Sequence, residues 1–225
     1  MNPLTRMFRN IKRFPRWLYI PPVLLLKFVR TFLMRTEIQD PHDYMHTIFG
    51  AVAGQLEARR LHVLPASTYM ERYLPGAGVL TGRAPDAREA ADIAHGHRAA
   101  MTIGAVDIGQ TVVVKDGMIL AAEAFEGTNA AIRRGARLGG PGAIVVKVAR
   151  DGHDMRFDIP VVGAATLQVL RRARASALAF QAGRTILLDR EAVIDGANRR
   201  GIAVVAIDSG LPPAPTRPPA ESPAP

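Results

Sequence analysis

The sequence predicts a mixed α/β fold. Its central and C-terminal parts alternate short apolar runs, rich in β-branched residues, with segments of helical spacing. Two of these runs are joined by Asp116-Gly117, a dipeptide typical of hairpin turns. A chain of 225 residues that is 48% hydrophobic can bury one large core or two small ones.

The first half of the chain is predicted to contain two helices around a loop. The pattern indicates a helix at 41–60, a short strand at Leu61–Ala66 and then a loop punctuated by Pro and Gly up to Pro85. A helix of about 15 residues is expected to begin near Asp86. Asp86 with Glu89 three residues later has the spacing of a capping box.

The second half is predicted to supply most of the sheet. The hairpin occupies 110–124. Helices are expected at 129–138, 165–175 and 191–199, and strands at 143–149, 177–182, 185–188 and 202–207. The tail from Ser209 is rich in Pro, which predicts disorder.

The net charge of +9 is concentrated at one end of the chain. Residues 1–35 contain eight basic and no acidic residues, which leaves +1 for the rest. Because the globular part has no large basic excess and no nucleic-acid-binding motif, we predict no nucleic-acid partner. The absence of cysteine excludes disulfides and thiolate zinc sites and fits a reducing compartment.

The basic N-terminal segment has two open interpretations. Its longest uncharged run is ten residues and is broken by Pro21-Pro22, too short for a membrane span, and its charge order differs from that of a signal peptide. Apolar residues from Val23 to Leu33 have mostly helical spacing, which favours an interfacial helix on anionic lipid. The alternative is a helix that covers the following domain.

The strongest candidate for chemistry follows the predicted strand at 143–149. This strand carries Lys147 near its end and leads into a loop with four charged residues, Asp151, Asp154, Arg156 and Asp158. Carboxylates there suit a divalent cation or the activation of water, and Lys147 and Arg156 suit phosphate. The alternative is a solvated turn without a function.

Three further segments are candidate ligand contacts. Asp107-Ile-Gly-Gln110 is either a ligand-binding turn or a structural cap. Glu126-Gly-Thr128 precedes a predicted helix, whose free amides could receive a phosphate oxygen unless Thr128 or Asn129 caps it. Arg184 stands before a short strand and suits either a phosphate contact or an ion pair.

Five segments together resemble one enzyme family. They are Asp107–Gly117, Glu123–Thr128, Lys147–Ala149, Met155–Pro160 and Ala182–Glu191. In this order they are similar to the metal-dependent, two-domain UDP-2,3-diacylglucosamine pyrophosphatases of lipid A biosynthesis in Gram-negative bacteria. The resemblance is strongest over residues 41–208 and extends more weakly to about Asn10, where Ile11-Lys-Arg13 resembles the end of the family's first domain.

The resemblance implies hydrolysis of UDP-2,3-diacylglucosamine to UMP and 2,3-diacylglucosamine 1-phosphate (lipid X) with Mg²⁺ or another divalent cation. It implies that Asp158 is the essential catalytic aspartate, to which we assign the role of metal ligand or base. Asp154, from the charged loop described above, is a second candidate metal ligand. Lys147 and Arg156 would neutralise phosphate. The other expected substrate contacts are Asp107, Gln110, Glu126, Thr128 and Arg184.

The diacylated substrate implies a cytoplasmic protein peripheral to the inner membrane. A homodimer is compatible with the sequence.

The chain also departs from the family pattern. The family begins with a glycine-rich, Rossmann-like domain, of which roughly the first half has no counterpart here, and Asn129 replaces the usual aspartate. We therefore expect a domain remnant at 1–66, a loop and connecting helix at 67–106, a C-terminal α/β domain at 107–208 and a disordered tail at 209–225. The alternative function is a truncated or divergent, non-catalytic homologue that binds lipid or a partner.

Overall fold

A computed structural model describes residues 52–149, 159–208 and 210 of the chain. The described residues belong to one compact unit, residues 48–225, and the other unit, residues 1–47, lies outside them. The predictions for the basic N-terminal segment, the charged loop at 150–158 and the Pro-rich tail therefore fall outside the described residues, apart from Gly210.

The described elements alternate strands and helices. Residues 52–57 are helical, and a 3-10 helix spans Glu71–Tyr73. The strands are β1 Gly78–Val79, β2 Thr111–Lys115, β3 Met118–Ala122, β4 Ile144–Lys147, β5 Val161–Val162, β6 Ala177–Gln181, β7 Ile186–Leu187 and β8 Ala203–Ile207. The α-helices are α1 Ala87–Ala105, α2 Thr128–Gly139, α3 Ala164–Ala173 and α4 Arg190–Asn198.

Six strands form a mixed sheet in the order β1-β8-β6-β4-β2-β3. Strands β4, β6 and β8 run parallel, whereas β2 is antiparallel to β4, β3 to β2 and β1 to β8. Strands β5 and β7 pair in parallel as a separate two-stranded sheet. The predicted mixed α/β class is confirmed.

Helices cover both faces of the six-stranded sheet because successive side chains of each strand point to opposite sides. On one face, Val113, Val145 and Leu178 pack with residues of α2, α3 and α4. On the other, Val112, Val146 and Ala179 pack with Ile93 and Ala100 of α1. The near-continuous apolar strands in the sequence are explained by this burial on two faces.

The two local signals with a specific geometry are confirmed. Asp86 is the N-cap of α1 and forms a capping box with Glu89. Asp116 and Gly117 both have positive φ, 51° and 75°, in the turn between β2 and β3, as a two-residue hairpin turn of this kind requires.

The predicted strand at Leu61–Ala66 is wrong. Residues 61–65 have neither helical nor strand structure, and a turn follows in which the amide of Thr68 donates to the carbonyl of Pro65 at 2.9 Å. Leu61 and Leu64 are 56% and 40% exposed. Since these side chains are not buried against a sheet, the apolar run has no strand partner to stabilise it.

Among the described helices, none has the length and apolar character needed to cross a bilayer.

Candidate active site

Polar residues from several strands meet at one edge of the six-stranded sheet. Lys147 ends β4 and lies directly opposite Thr111, the first residue of the antiparallel strand β2. Glu123 follows the end of β3, and its amide donates to the carbonyl of Thr111 at 2.7 Å. The antiparallel arrangement therefore brings the start of one strand and the ends of two others to the same place.

A chain of hydrogen bonds joins Lys147 to Glu123. The Nζ atom of Lys147 donates to Oγ1 of Thr128 at 2.8 Å, and the Thr128 hydroxyl donates to Oε1 of Glu123 at 2.8 Å. Lys147 is only 8% exposed. A buried ammonium group needs hydrogen-bond acceptors and a nearby negative charge. The Thr128 hydroxyl is such an acceptor, and it links the ammonium to the carboxylate of Glu123.

The two carboxylate oxygens of Glu123 differ in their hydrogen bonding, because only Oε1 has a described partner. Oε2 is buried and has no hydrogen-bond partner among the described residues. A buried carboxylate oxygen without a partner costs free energy, and a bound cation or a donor group of a ligand would recover it.

These groups border an open cleft of about 400 Å³. Its polar lining comes from Asp107, Gln110, Glu123 and Lys147, and its apolar lining from Ile108, Ile159, Pro160 and Val161. The structure thus brings together three residues predicted from the sequence, Asp107, Gln110 and Lys147. The cleft pairs carboxylates with a cation and also offers an apolar wall.

The turn at Asp107-Ile-Gly-Gln110 follows α1. Asp107 has a φ of 57°, and a Cβ added at Gly109 would overlap the carbonyl oxygen of Glu123. The glycine thus lets this turn approach the end of β3. The carbonyl of Gln110 also accepts from the amide of Val148 at 2.9 Å, which ties the turn to the end of β4.

Thr128 and Glu126 border a neighbouring cleft of about 360 Å³ at the start of α2. Helix α2 has Gly127 as its N-cap, with a φ of 80° and no side-chain capping hydrogen bond. The alternative in which Thr128 or Asn129 caps the helix is therefore wrong. Thr128 instead directs its hydroxyl to Lys147 and Glu123.

Glu126 is exposed and paired with Arg134 of α2. Nη2 of Arg134 donates to Oε1 of Glu126 at 2.5 Å, and Oε2 accepts from the amide of Ala124 at 3.2 Å. The hydrogen bond from Arg134 lowers the pKa of Glu126 below its ordinary value. Glu126 thus shapes the loop between β3 and α2 and does not line the cleft of Lys147.

The remaining predicted site residues lie apart from the cleft or outside the described residues. Arg184 is buried between β6 and β7 and lines neither cleft. Asp154, Arg156 and Asp158 lie outside the described residues. Their roles stay predictions. Within the described ranges, no group of three or more His, Asp or Glu residues is placed to hold a metal ion.

Two polar residues at this edge had no role in the sequence predictions. Glu123 directly follows the second hairpin strand, and that position was the signal for it. Gln181 ends β6 and is fully buried, and its Oε1 accepts from the amide of Ala149 at 2.6 Å. It fixes the chain where it leaves β4. Local patterns show that both residues lie at strand ends, but their proximity to Lys147 and Ala149 follows from the strand order.

The fold and the cleft define a mixed α/β domain with a polar site at the carboxyl edge of its parallel strands. The family model of the LpxI C-terminal domain matches residues 76–205, more than half of the chain, and the chain belongs to this family.

The chain is 38% identical over 134 residues to the UDP-2,3-diacylglucosamine pyrophosphatase LpxI of Caulobacter vibrioides. This match covers 55% of the chain and 47% of that protein, so the chain spans about half the length of the curated relative it matches. The resemblance inferred from the sequence motifs is confirmed.

Proposed function

We propose that this protein hydrolyses the pyrophosphate bond of UDP-2,3-diacylglucosamine to give UMP and 2,3-diacylglucosamine 1-phosphate. The family membership supports this activity, and the relative in Caulobacter vibrioides is named as a UDP-2,3-diacylglucosamine pyrophosphatase. The observation that carries the proposal is the buried Lys147, oriented by Thr128 and Glu123 beside an open cleft.

Lys147 would neutralise the pyrophosphate. The Thr128 hydroxyl holds one of the three donor directions of its ammonium, and the lysine borders the cleft. A preoriented cation in a partly dehydrated site stabilises the charge that develops on phosphate oxygens more than a mobile surface lysine would. Arg156, which follows β4 in the sequence, would assist.

The start of α2 would contribute backbone donors. The carbonyl of Gly127 accepts from the amides of Ala130 and Ala131 at 3.1 Å each. The amides of Thr128 and Asn129 have no acceptor among the described backbone groups. Amides at a helix N-terminus favour anions, so these two would hold a phosphate oxygen next to Lys147.

The donor groups present fit a divalent cation such as Mg²⁺, which prefers oxygen ligands. Asp107 and Glu123, whose Oε2 is buried without a described partner, both line the cleft. Together with Asp158 and Asp154 they would hold the ion. When bound, it would withdraw charge from the phosphate oxygens and lower the pKa of a coordinated water. Asp158 would act as a ligand or as the base.

The substrate places the reaction at a membrane. Two acyl chains keep the substrate in the bilayer, so the enzyme would work as a peripheral protein at the cytoplasmic face of the inner membrane. The apolar side of the cleft, with Ile108 and Val161 both partly exposed, suits contact with such a substrate.

Mass spectrometry tests the activity. The purified chain, Lys147→Met and Asp158→Ala are incubated with UDP-2,3-diacylglucosamine and Mg²⁺, and UMP and lipid X are measured. Lys115→Met is the matched control, because Lys115 lies at the opposite end of β2 and donates to the carbonyl of Gly139 at 2.7 Å.

We expect product from the unaltered chain and from the control, and a loss of about 100-fold or more in the two site variants. A folded chain that gives no UMP would contradict the proposed hydrolysis and favour the non-catalytic, lipid- or partner-binding homologue.

A further inference from the structure

Four exposed arginines line a groove between α2 and α3. Arg133 and Arg137 lie one turn apart on α2, and Arg172 and Arg174 lie at the C-terminal end of α3. The groove has a volume of about 530 Å³, and the described residues that line it include no acidic side chain. We call this depression the arginine groove.

The four guanidinium groups are not neutralised within the described part of the chain. None of them forms a salt bridge with a described residue, whereas the intervening Arg134 pairs with Glu126. Four cations around one depression create a local positive potential that an anionic partner would relieve.

The arginine groove is continuous with the candidate active site. Ala130 and Arg133 line both the groove and the cleft at the start of α2. Val161 lines that cleft and also the cleft of Lys147. The groove thus adjoins the cleft at the start of α2 and extends from there to the C-terminal ends of α2 and α3.

We propose that the arginine groove docks the protein on the anionic surface of a lipid bilayer. Guanidinium groups bind phosphate in a bidentate manner, and each basic residue near an anionic membrane favours binding. No aromatic side chain lines the described part of the groove to stack on nucleic-acid bases.

The choice of a bilayer over another polyanion rests on the proposed function, because a diacylated substrate must be taken from a membrane. The observation that the four arginines have no described salt bridge does not depend on the proposed function. Vesicle binding can be measured without substrate, so a chain without hydrolytic activity would still give a clear result.

The first test measures co-sedimentation of the full chain with vesicles of phosphatidylcholine, alone or mixed with phosphatidylglycerol. The test variant is Arg137→Gln with Arg172→Gln. The control is Arg199→Gln with Arg200→Gln, two exposed arginines that follow α4. We expect the test pair to weaken binding to mixed vesicles about 25-fold, about 5-fold for each arginine, and the control pair to bind as the unaltered chain does. Equal binding by both pairs, or an equal loss, would overturn the proposal.

The second test reports on the groove itself and is independent of the basic segment at residues 1–35. The sequence has no cysteine, so a single introduced thiol can be labelled with an environment-sensitive fluorophore. Pro141→Cys places the probe at the groove, and Ala94→Cys places it on α1, which packs on the opposite face of the sheet.

With mixed vesicles we expect a blue shift at position 141 and none at position 94. A blue shift at both positions, or at neither, would overturn the proposal. A shift at position 141 with duplex DNA but not with vesicles would assign the arginine groove to nucleic acid instead.

Discussion

The ammonium of Lys147 donates a 2.8 Å hydrogen bond to the hydroxyl of Thr128, and so the end of β4 is connected to the first residue of α2. An ammonium can only donate and a carboxylate can only accept. The hydroxyl therefore has one consistent orientation, receiving from Lys147 and donating to Glu123. Thr128 thus contributes directly to the position of the lysine.

Replacing Thr128 by Val keeps the shape of the side chain and removes this connection. Lys147 and Glu123 each lose a partner, so we expect a loss of about 1–2 kcal/mol in the free energy of unfolding and at least a ten-fold lower kcat/KM for the proposed hydrolysis. Urea unfolding and UMP release measure the two effects.

Thr128→Ser is the rescue variant, since it keeps the hydroxyl. Thr102→Val is the control, because Thr102 donates to the carbonyl of Arg98 on the exposed side of α1. If Thr128→Val retained full activity, the hydroxyl would have no part in positioning Lys147.

Glu123 is expected to contribute to cation binding. Glu123→Gln keeps an oxygen acceptor for Thr128 but removes the charge on the carboxylate whose Oε2 has no described partner. We expect Mn²⁺, used as a probe ion, to bind about ten-fold more weakly in a calorimetric titration. Glu71→Gln, at an exposed position, should leave Mn²⁺ affinity unchanged. Equal affinities in all three proteins would exclude Glu123 as a ligand.

The fold could be predicted where the signal is local. The capping box at Asp86 and Glu89 and the Asp116-Gly117 turn depend on residues close in sequence, and both predictions are confirmed. The two-residue strands β1 and β5 were not predicted, because both lie among Pro and Gly residues, which are typical of loops. They exist through their pairing with β8 and β7.

The candidate site could be predicted only in part. Lys147 stood out as a charge at the end of an apolar strand. Glu123 and Thr111 did not, because their proximity to Lys147 follows from the antiparallel pairing of β2 with β3 and β4. A sequence pattern can show where a strand ends, but the neighbouring strand is decided by packing of the whole sheet.

The close approach at Gly109 should be intolerant of a side chain. A Cβ there would overlap the carbonyl of Glu123, so Gly109→Ala must displace either the turn after α1 or the end of β3. We expect a loss of about 1–3 kcal/mol in the free energy of unfolding. Gly76→Ala is the control, since a Cβ at Gly76 would meet nothing within 4 Å. Similar urea midpoints for the two variants would contradict this reading of the turn.

The stability of the domain should depend on pH through Glu89. Glu89 is 4% exposed, and its carboxylate accepts from Nη1 and Nη2 of Arg83 at 2.6 and 3.0 Å. It also accepts from the amide of Asp86 at 2.9 Å. Burial raises the pKa of Glu89, but the hydrogen bonds from Arg83 and Asp86 and the positive charge of Arg83 outweigh burial and leave the pKa below its ordinary 4.5.

Because the folded-state pKa of Glu89 is lowered, its ionised form stabilises the fold above about pH 4.5. This contribution is lost as the pH falls through the lower folded-state value.

Glu89→Gln should therefore lower the free energy of unfolding at pH 7 by about 2 kcal/mol. The loss is smaller than for a fully buried pair because the Arg83 side chain is 37% exposed. Urea unfolding of both proteins between pH 7 and pH 3 should show this difference shrinking below about pH 4.5. Glu191→Gln, in the exposed first turn of α4, serves as the control and should differ from the unaltered chain by less than about 0.5 kcal/mol throughout. A Glu89→Gln difference that stayed constant down to pH 3 would show that the variant acts through packing and not through the charge of Glu89.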